Sequence, residues 1–391
     1  MIRVLALIGD YPDPPISGVR VRNYYLWPAL VRLGVELKVL GTHPPTEPWP
    51  TGTFGGLDAE FCGFKREPLP IRVPKGLTRS YHQFPSSADL ARRVDEVAGA
   101  WRPDVIHAEE LRSAQYLPAL RGRKVDARQS VTIHNVESDL YARIASPAVP
   151  VGKKLVTQLH LRSLRALEAR LAARLDLCLA YSETDRERYE ALYPGTRWSS
   201  TRGGTDALGL TPGPQPADPS ILLVGNWSYA PNRRGLDWFL DGVLPRLEPR
   251  PPITVAGSGA DAGQVAKLAA LKIRFVDTPR DLTPLYDQHA VVAVPVLEGS
   301  GTRGKIIEAL AHERFTVTTT KGPEGLDLRP GEGFVIADEP AEFARRLVDA
   351  LAAPAARAAS ARRGREAVIA RYDWSVVAAE LLQAWEHCVA R

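Results

Sequence analysis

Short, unbroken apolar runs alternate with helix-patterned stretches from one end of this chain to the other. In the first half the runs are Arg3–Ile8, Val35–Leu40, Asp104–His107, Val131–His134 and Leu175–Tyr181. In the second they are Ile221–Val224, Ile253–Ala256, Ile273–Val276, Ala290–Val296, Phe315–Thr319 and Phe334–Ala337. A strand that is apolar on both faces must be covered on both, and intervening helices supply that cover. The pattern predicts parallel, doubly wound α/β sheets. A length of 391 residues suffices for two such domains. Between the halves, Leu208–Pro219 carries Pro212, Pro214, Pro216 and Pro219, so it is neither helix nor central strand. The expected organisation is a first Rossmann-like domain over 1–207, a linker over 208–219 and a second Rossmann-like domain over 220–374. A last helix over 375–391 would pack back on the first domain. The stretch Thr42–Pro85 lacks periodicity and reads as loops with short strands.

One strand-to-helix junction concentrates chemistry. Gly299-Ser300-Gly301-Thr302-Arg303-Gly304-Lys305 follows an apolar run and leads into Ile306-Ile307-Glu308-Ala309-Leu310-Ala311. A small-residue loop at a helix start presents backbone N–H groups to an anion. Arg303 and Lys305 add two cations, and Glu308 adds an acceptor for hydroxyl groups. Letter by letter the loop fits the phosphate loop G-x-x-x-x-G-K of nucleoside triphosphatases. That motif next requires Ser or Thr for magnesium, and Ile306 cannot ligate a metal. A diphosphate carrying a sugar is the other reading, and a plain turn with surface cations is the third.

Composition narrows the partners. The net charge of +5 is a mild excess, and no basic block with interleaved aromatics points to nucleic acid. Cys62, Cys178 and Cys388 are too few and too scattered for a disulfide framework, which fits a reducing, cytoplasmic setting. The short apolar start reads as a first strand rather than a signal peptide, and no run is long enough to span a membrane. The histidines show no metal-ligand spacing, and no metal cofactor is expected. Lys153–Arg174 reads as a helix with leucines at helical spacing and Lys153, Lys154, Arg162, Arg165 and Arg170 between them. It is read first as a cover helix with a solvated basic face; peripheral contact with an anionic membrane is the alternative.

Taken together, these segments resemble family 4 glycosyltransferases of the GT-B fold. The loop at Gly301-Thr302-Arg303 with Lys305, Ile306, Glu308, Ala309 and Ala311 is similar to the family's "G-G-T-R-x-K-I-x-E-A-x-A". Pro14-Pro15-Ile16-Ser17-Gly18-Val19-Arg20 resembles its first loop, with Val19 in place of a second glycine. Thr132-Ile133-His134-Asn135-Val136-Glu137-Ser138 resembles "T-x-H-N-x-E-S", and Val224-Gly225-Asn226 through Pro231-Asn232 resembles "V-G-x-x-x-y-x-P-N". The resemblance implies two Rossmann-like domains facing each other across a cleft. It implies a retaining transferase that moves a sugar from a nucleotide-diphosphate sugar to a glycan, lipid-linked or small-molecule acceptor. It implies His134, Arg303 and Lys305 as catalytic. Gly18, Gly225, Asn226, Gly257, Val276, Gly301, Thr302 and Glu308 would bind the donor. Arg20, His107 and Glu109 would touch the acceptor. Many relatives carry paired glutamates, E-x7-E; Glu308 matches the second, but Ser300 stands at the first, with Glu298 two residues early. Ser182, before Asp185, reads as a helix cap. A nucleotide-sugar epimerase, a sugar-nucleotide binding protein and a phosphate-loop ATPase remain as alternatives.

Overall fold

The computed structural model describes the chain except for residues 10, 14–17, 44–55, 58, 64–86, 145–150, 197, 217 and 299–303. It divides into two units, Met1–Arg202 with Ala378–Arg391, and Gly203–Val377.

The first unit is built on a seven-stranded sheet. Its strands are β1 (Arg3–Ile8), β2 (Glu36–His43), β3 (Ala59–Gly63), β4 (Val105–Glu109), β5 (Arg128–Ile133), β6 (Leu177–Ala180) and β7 (Trp198–Ser200). They lie in the order β3-β2-β1-β4-β5-β6-β7, every pair parallel. The second unit holds β8 (Ile221–Val224), β9 (Ile253–Gly257), β10 (Arg274–Asp277), β11 (Val291–Val294), β12 (Phe315–Thr318) and β13 (Phe334–Ile336). Their order is β10-β9-β8-β11-β12-β13, again all parallel. Both orders reverse direction once, between β1 and β4 and between β8 and β11. Ligands of such sheets bind outside the carboxyl ends of the strands at that reversal.

The second unit shows why its strands read as continuous apolar runs. Ile221, Leu223, Val291 and Ala293 enter one buried cluster, whereas Leu222, Val292 and Val294 enter another on the opposite face. Alternate residues point to opposite faces, so both cores draw on one strand. Each predicted run overlaps a strand. β3 falls in the stretch read as loops with short strands, and β7 falls in no predicted run. Both are edge strands, and β7 offers the core only Trp198, followed by exposed Ser199 and Ser200.

Local chemistry sets the helix starts. Ser182 caps the Glu183–Leu192 helix by accepting from the Asp185 backbone N–H at 3.1 Å, as expected. Leu164 and Leu171 of the Val151–Arg174 helix are buried while Arg162 and Arg165 are exposed, the arrangement of a cover helix. The side chains of Lys153 and Lys154 lie outside the described residues. Among the described residues no helix is long and apolar enough to cross a membrane. In the first unit Trp385, fully buried, reaches the sheet through its indole N–H, which donates to Ser130 Oγ at 3.2 Å.

Candidate functional site

In the first unit the carboxyl ends of β4, β5 and β6 converge on one buried carboxylate. Glu109 ends β4 and has no exposed side-chain surface. Arg22, from the Gly18–Arg32 helix and equally buried, donates from Nε to Glu109 Oε1 at 2.7 Å. Arg22 also donates from Nη1 to the Arg202 carbonyl at 2.9 Å. His134, just past β5, places Nε2 2.5 Å from the same Oε1 and keeps 11% of its side chain exposed. Its ring lies 4.4 Å from that of Tyr181, past the end of β6, and the Arg22 guanidinium sits 5.1 Å from the same tyrosine ring. Burial opposes the charge on Glu109, but Arg22 and the two imidazoles outweigh it and hold the carboxyl far below the usual range.

His107 sits beneath this pair. It is fully buried between Trp27 and Trp385, with ring separations of 5.9 and 5.1 Å. Burial lowers its pKa and keeps it neutral. The expectation that His107 and Glu109 touch an acceptor is therefore corrected: neither has surface to offer one. Both residues of this central strand are covered, so strand-end position did not mean exposure. Of the expected first-unit residues, His134 alone joins this cluster at an accessible surface. Gly18 and Arg20 lie in the first turn of their helix, and residues 14–17 before them lie outside the described residues.

Two acidic neighbours were not singled out beforehand. Glu110 follows β4 with φ of 72°, a backbone state that non-glycine residues rarely hold, and such strain gathers at functional sites. Glu137 opens the Glu137–Ile144 helix after His134; burial first, and then the charge of Glu110, push its carboxyl up to about 7. Its place inside the His134 segment was the only signal in the sequence.

In the second unit the loops after β8 and β9 interlock. Gly257 ends β9 with φ of 133°, and a Cβ there would fall 1.8 Å from the Gly225 carbonyl oxygen. The glycine is required by this close approach. Gly257→Ala should lower stability by at least about 2 kcal/mol, read as a lower urea midpoint. Asn226 Oδ1 accepts from the Ser228 backbone N–H at 3.0 Å and from its hydroxyl at 2.6 Å, which fixes the loop. Val276 is half-buried in β10.

Lys305 lies in the first turn of the Gly304–Ala311 helix after β11. Its ammonium donates to Asn232 Oδ1 at 2.7 Å and stands 5.9 Å from the Trp227 ring. Asn232 Nδ2 in turn donates to the Asn226 carbonyl at 2.8 Å, so one amide couples Lys305 to the β8 loop. The "P-N" of the motif carried this residue, but its pairing with Lys305 was not legible. Glu308 is one turn further along the same helix. It keeps part of its surface, yet burial pushes its carboxyl up to about 7, and the Tyr286 hydroxyl and then Lys305 offset only part of that. Ile306 is fully buried, so the position after the lysine offers core packing in place of a magnesium ligand. Arg234 pairs with Glu298 just before the loop, and Arg233 with Asp261 at 3.2 Å. Gly301, Thr302 and Arg303 lie outside the described residues. Among the described residues no group of three His, Cys, Asp or Glu could hold a metal ion.

Known proteins share this architecture. Residues 17–199 match the family profile described as "Glycosyl transferase 4-like domain", and residues 218–353 match "Glycosyl transferases group 1". An uncharacterised 44.6 kDa protein in the cps region of Klebsiella pneumoniae is 29% identical over 141 residues, spanning 33% of this chain and 36% of that protein. The glycogen synthase of Mycobacterium tuberculosis is 26% identical over 418 residues, spanning 98% of this chain and 94% of that enzyme. Among solved structures, Anabaena HepE in complex with UDP-glucose superposes with a TM-score of 0.67 at 15% identity, over 98% of this chain and 100% of that one. With both units matched, the chain belongs to the group 1, family 4 glycosyltransferases, GT-B enzymes that move a sugar from a nucleotide-sugar donor to an acceptor with retention of configuration.

Proposed function

We propose that the second unit grips the diphosphate of a nucleotide-hexose through Lys305, Arg303 and the backbone around Gly225, Asn226, Gly301 and Thr302. No metal is needed in this reading. The observation that carries it is the Lys305 ammonium, fixed by Asn232 at the strand-order reversal with the Glu308 carboxyl on the same helix. Lys305 and Arg303 stabilise the charge that builds on the departing diphosphate. Glu308 accepts hydrogen bonds from the ribose hydroxyls. His134, in the first unit, contacts the transferred sugar. The HepE complex makes UDP-glucose the first donor to try, and the cps-region relative supports an acceptor from polysaccharide assembly.

A thermal-shift panel of UDP, GDP, ADP, dTDP and ATP, each with magnesium and with EDTA, tests the reading. Saturating ligand stabilises by a few kcal/mol. A shift with one diphosphate, unchanged by EDTA, is expected and names the base. A shift only with magnesium and ATP would remove the metal-free diphosphate reading of this site.

Glu308 gives the binding a pH dependence. The ribose hydroxyls donate to the carboxylate, so binding favours its ionised form. The free carboxyl titrates at about 7. Affinity should therefore be flat above that value and fall as pH drops below it, by up to about tenfold per unit. Calorimetric titration of the diphosphate from pH 5.5 to 8.5 reads this slope. In Glu308→Gln only the slope due to the ligand's own terminal phosphate, which titrates at about 6, should remain; an unchanged slope means another group binds the ribose.

A cytoplasmic reaction is proposed, with peripheral contact at an anionic membrane face as a second reading, for which the exposed Arg162 and Arg165 of the cover helix are the candidates. Co-sedimentation with phosphatidylglycerol vesicles, absent with phosphatidylcholine and lost in Arg162→Glu/Arg165→Glu, is the expected result. Equal partitioning to both lipids would remove the membrane from the proposal.

A further inference from the structure

Hydrogen-bond directions in the first-unit cluster follow from the inventory of donors. Trp385 Nε1 can only donate, so Ser130 Oγ accepts from it at 3.2 Å. His107 Nε2 faces Glu109 Oε2 at 3.4 Å and Thr132 Oγ1 at 3.2 Å. An ionised carboxylate only accepts, so the His107 proton sits on Nε2. Nδ1 then accepts from the Ser130 hydroxyl at 2.8 Å. Arg22 donates to the other carboxylate oxygen at 2.7 Å. Glu109 thus stands in a ring of donors, ionised and accepting only. His134 Nε2, 2.5 Å from Oε1, must carry a proton too.

We infer that Glu109, neutralised by Arg22, is the positioning residue that fixes His134 in its Nε2–H tautomer and presents the Nδ1 lone pair to a hydroxyl of the bound sugar. Two contacts fix the ring. Tyr181, 4.4 Å away and inclined at 31°, sets its plane, and Glu109 sets its rotation. Arg22 balances the charge of Glu109, so the buried carboxylate stays ionised while it accepts from His134. Nothing in this arrangement gives Glu109 access to substrate, because its side chain has no exposed surface. The inference rests on the reading above that His134 faces the sugar, but the tautomer itself does not depend on that reading.

The test is a long-range proton–nitrogen correlation spectrum of the full chain labelled in histidine, with His134 assigned by its absence in His134→Ala. The wild type should show His134 protonated at Nε2 and bare at Nδ1. A ring protonated at Nδ1, or an average of both tautomers, overturns the proposal without Arg22 or Glu109 having to be replaced. The second arm is Arg22→Met/Glu109→Met, which removes the carboxylate without stranding its cation. Its His134 signals should move to a tautomer average. Turnover of UDP-glucose, read as UDP release, should fall about 10- to 100-fold in kcat with little change in KM, the scale of lost support for an oriented imidazole. An unchanged His134 spectrum or an unchanged kcat in that variant also overturns it. Full activity in His134→Ala sinks the sugar-contact reading instead, and leaves the spectrum to decide the tautomer.

Discussion

Lys305→Ala should lower kcat for sugar transfer by about 10²- to 10³-fold, the loss typical of removing one preorganised group from a developing negative charge. The expected loss is at the large end because this ammonium is held before the donor arrives. Asn232 accepts from it at 2.7 Å, and the Trp227 ring lies 5.9 Å away. An ordered cation spends no free energy on reorganising when charge appears on the leaving diphosphate. Stability should barely change, because the lysine is half-exposed and the helix is anchored by the buried Ile306, Ile307 and Leu310. Asn232→Ala should give a smaller loss of the same kind, since the ammonium stays but its position is no longer fixed. Steady-state kinetics with UDP-glucose, alongside urea unfolding of each variant, separates these outcomes. A Lys305→Ala enzyme within tenfold of wild type would take the lysine out of the diphosphate site and return the load to Arg303.

The same residues show what could be read from the chain beforehand. Strands such as Arg3–Ile8 and Ile221–Val224 were legible to the residue, because a strand covered on both faces leaves an unbroken apolar run. β7 was not, because an edge strand needs only one apolar contact, and Trp198 alone supplies it. His134 and Lys305 were found through local motifs at strand ends. Their pairings were not. Glu109 and Lys305 are served by residues 87 and 73 positions away, Arg22 and Asn232, and no local pattern encodes such a pairing. The sequence also placed His107 and Glu109 at a strand end without saying that helices bury both faces of that strand. A charged residue in an apolar run was the visible sign of a buried polar cluster, and it was read as surface chemistry.

That buried cluster carries the other large effect, on stability. Arg22→Met should cost about 3–5 kcal/mol, seen as a much lower urea midpoint, because it leaves Glu109 charged, fully buried and without its counterion. The cost should depend on pH. In the native protein the Glu109 carboxyl is held below its ordinary value of 4.5, so its contribution is complete above that pH and is lost only as pH falls through the lower folded value. In Arg22→Met only the two imidazoles still oppose burial, so the carboxyl rises and the variant takes up its proton in mild acid. The gap to wild type should be widest near neutral pH and narrow as pH falls toward 5. Arg22→Met/Glu109→Met should recover much of the loss, since two apolar side chains of similar volume need no partner. Recovery of the fold without recovery of turnover would separate the two roles of the pair. The core tolerates an apolar replacement of the ion pair, whereas His134 needs a carboxylate to direct its proton. A single variant within about 1 kcal/mol of wild type would mean that Arg22 and Glu109 are hydrated in solution, and would remove the basis for assigning Glu109 to the orientation of His134.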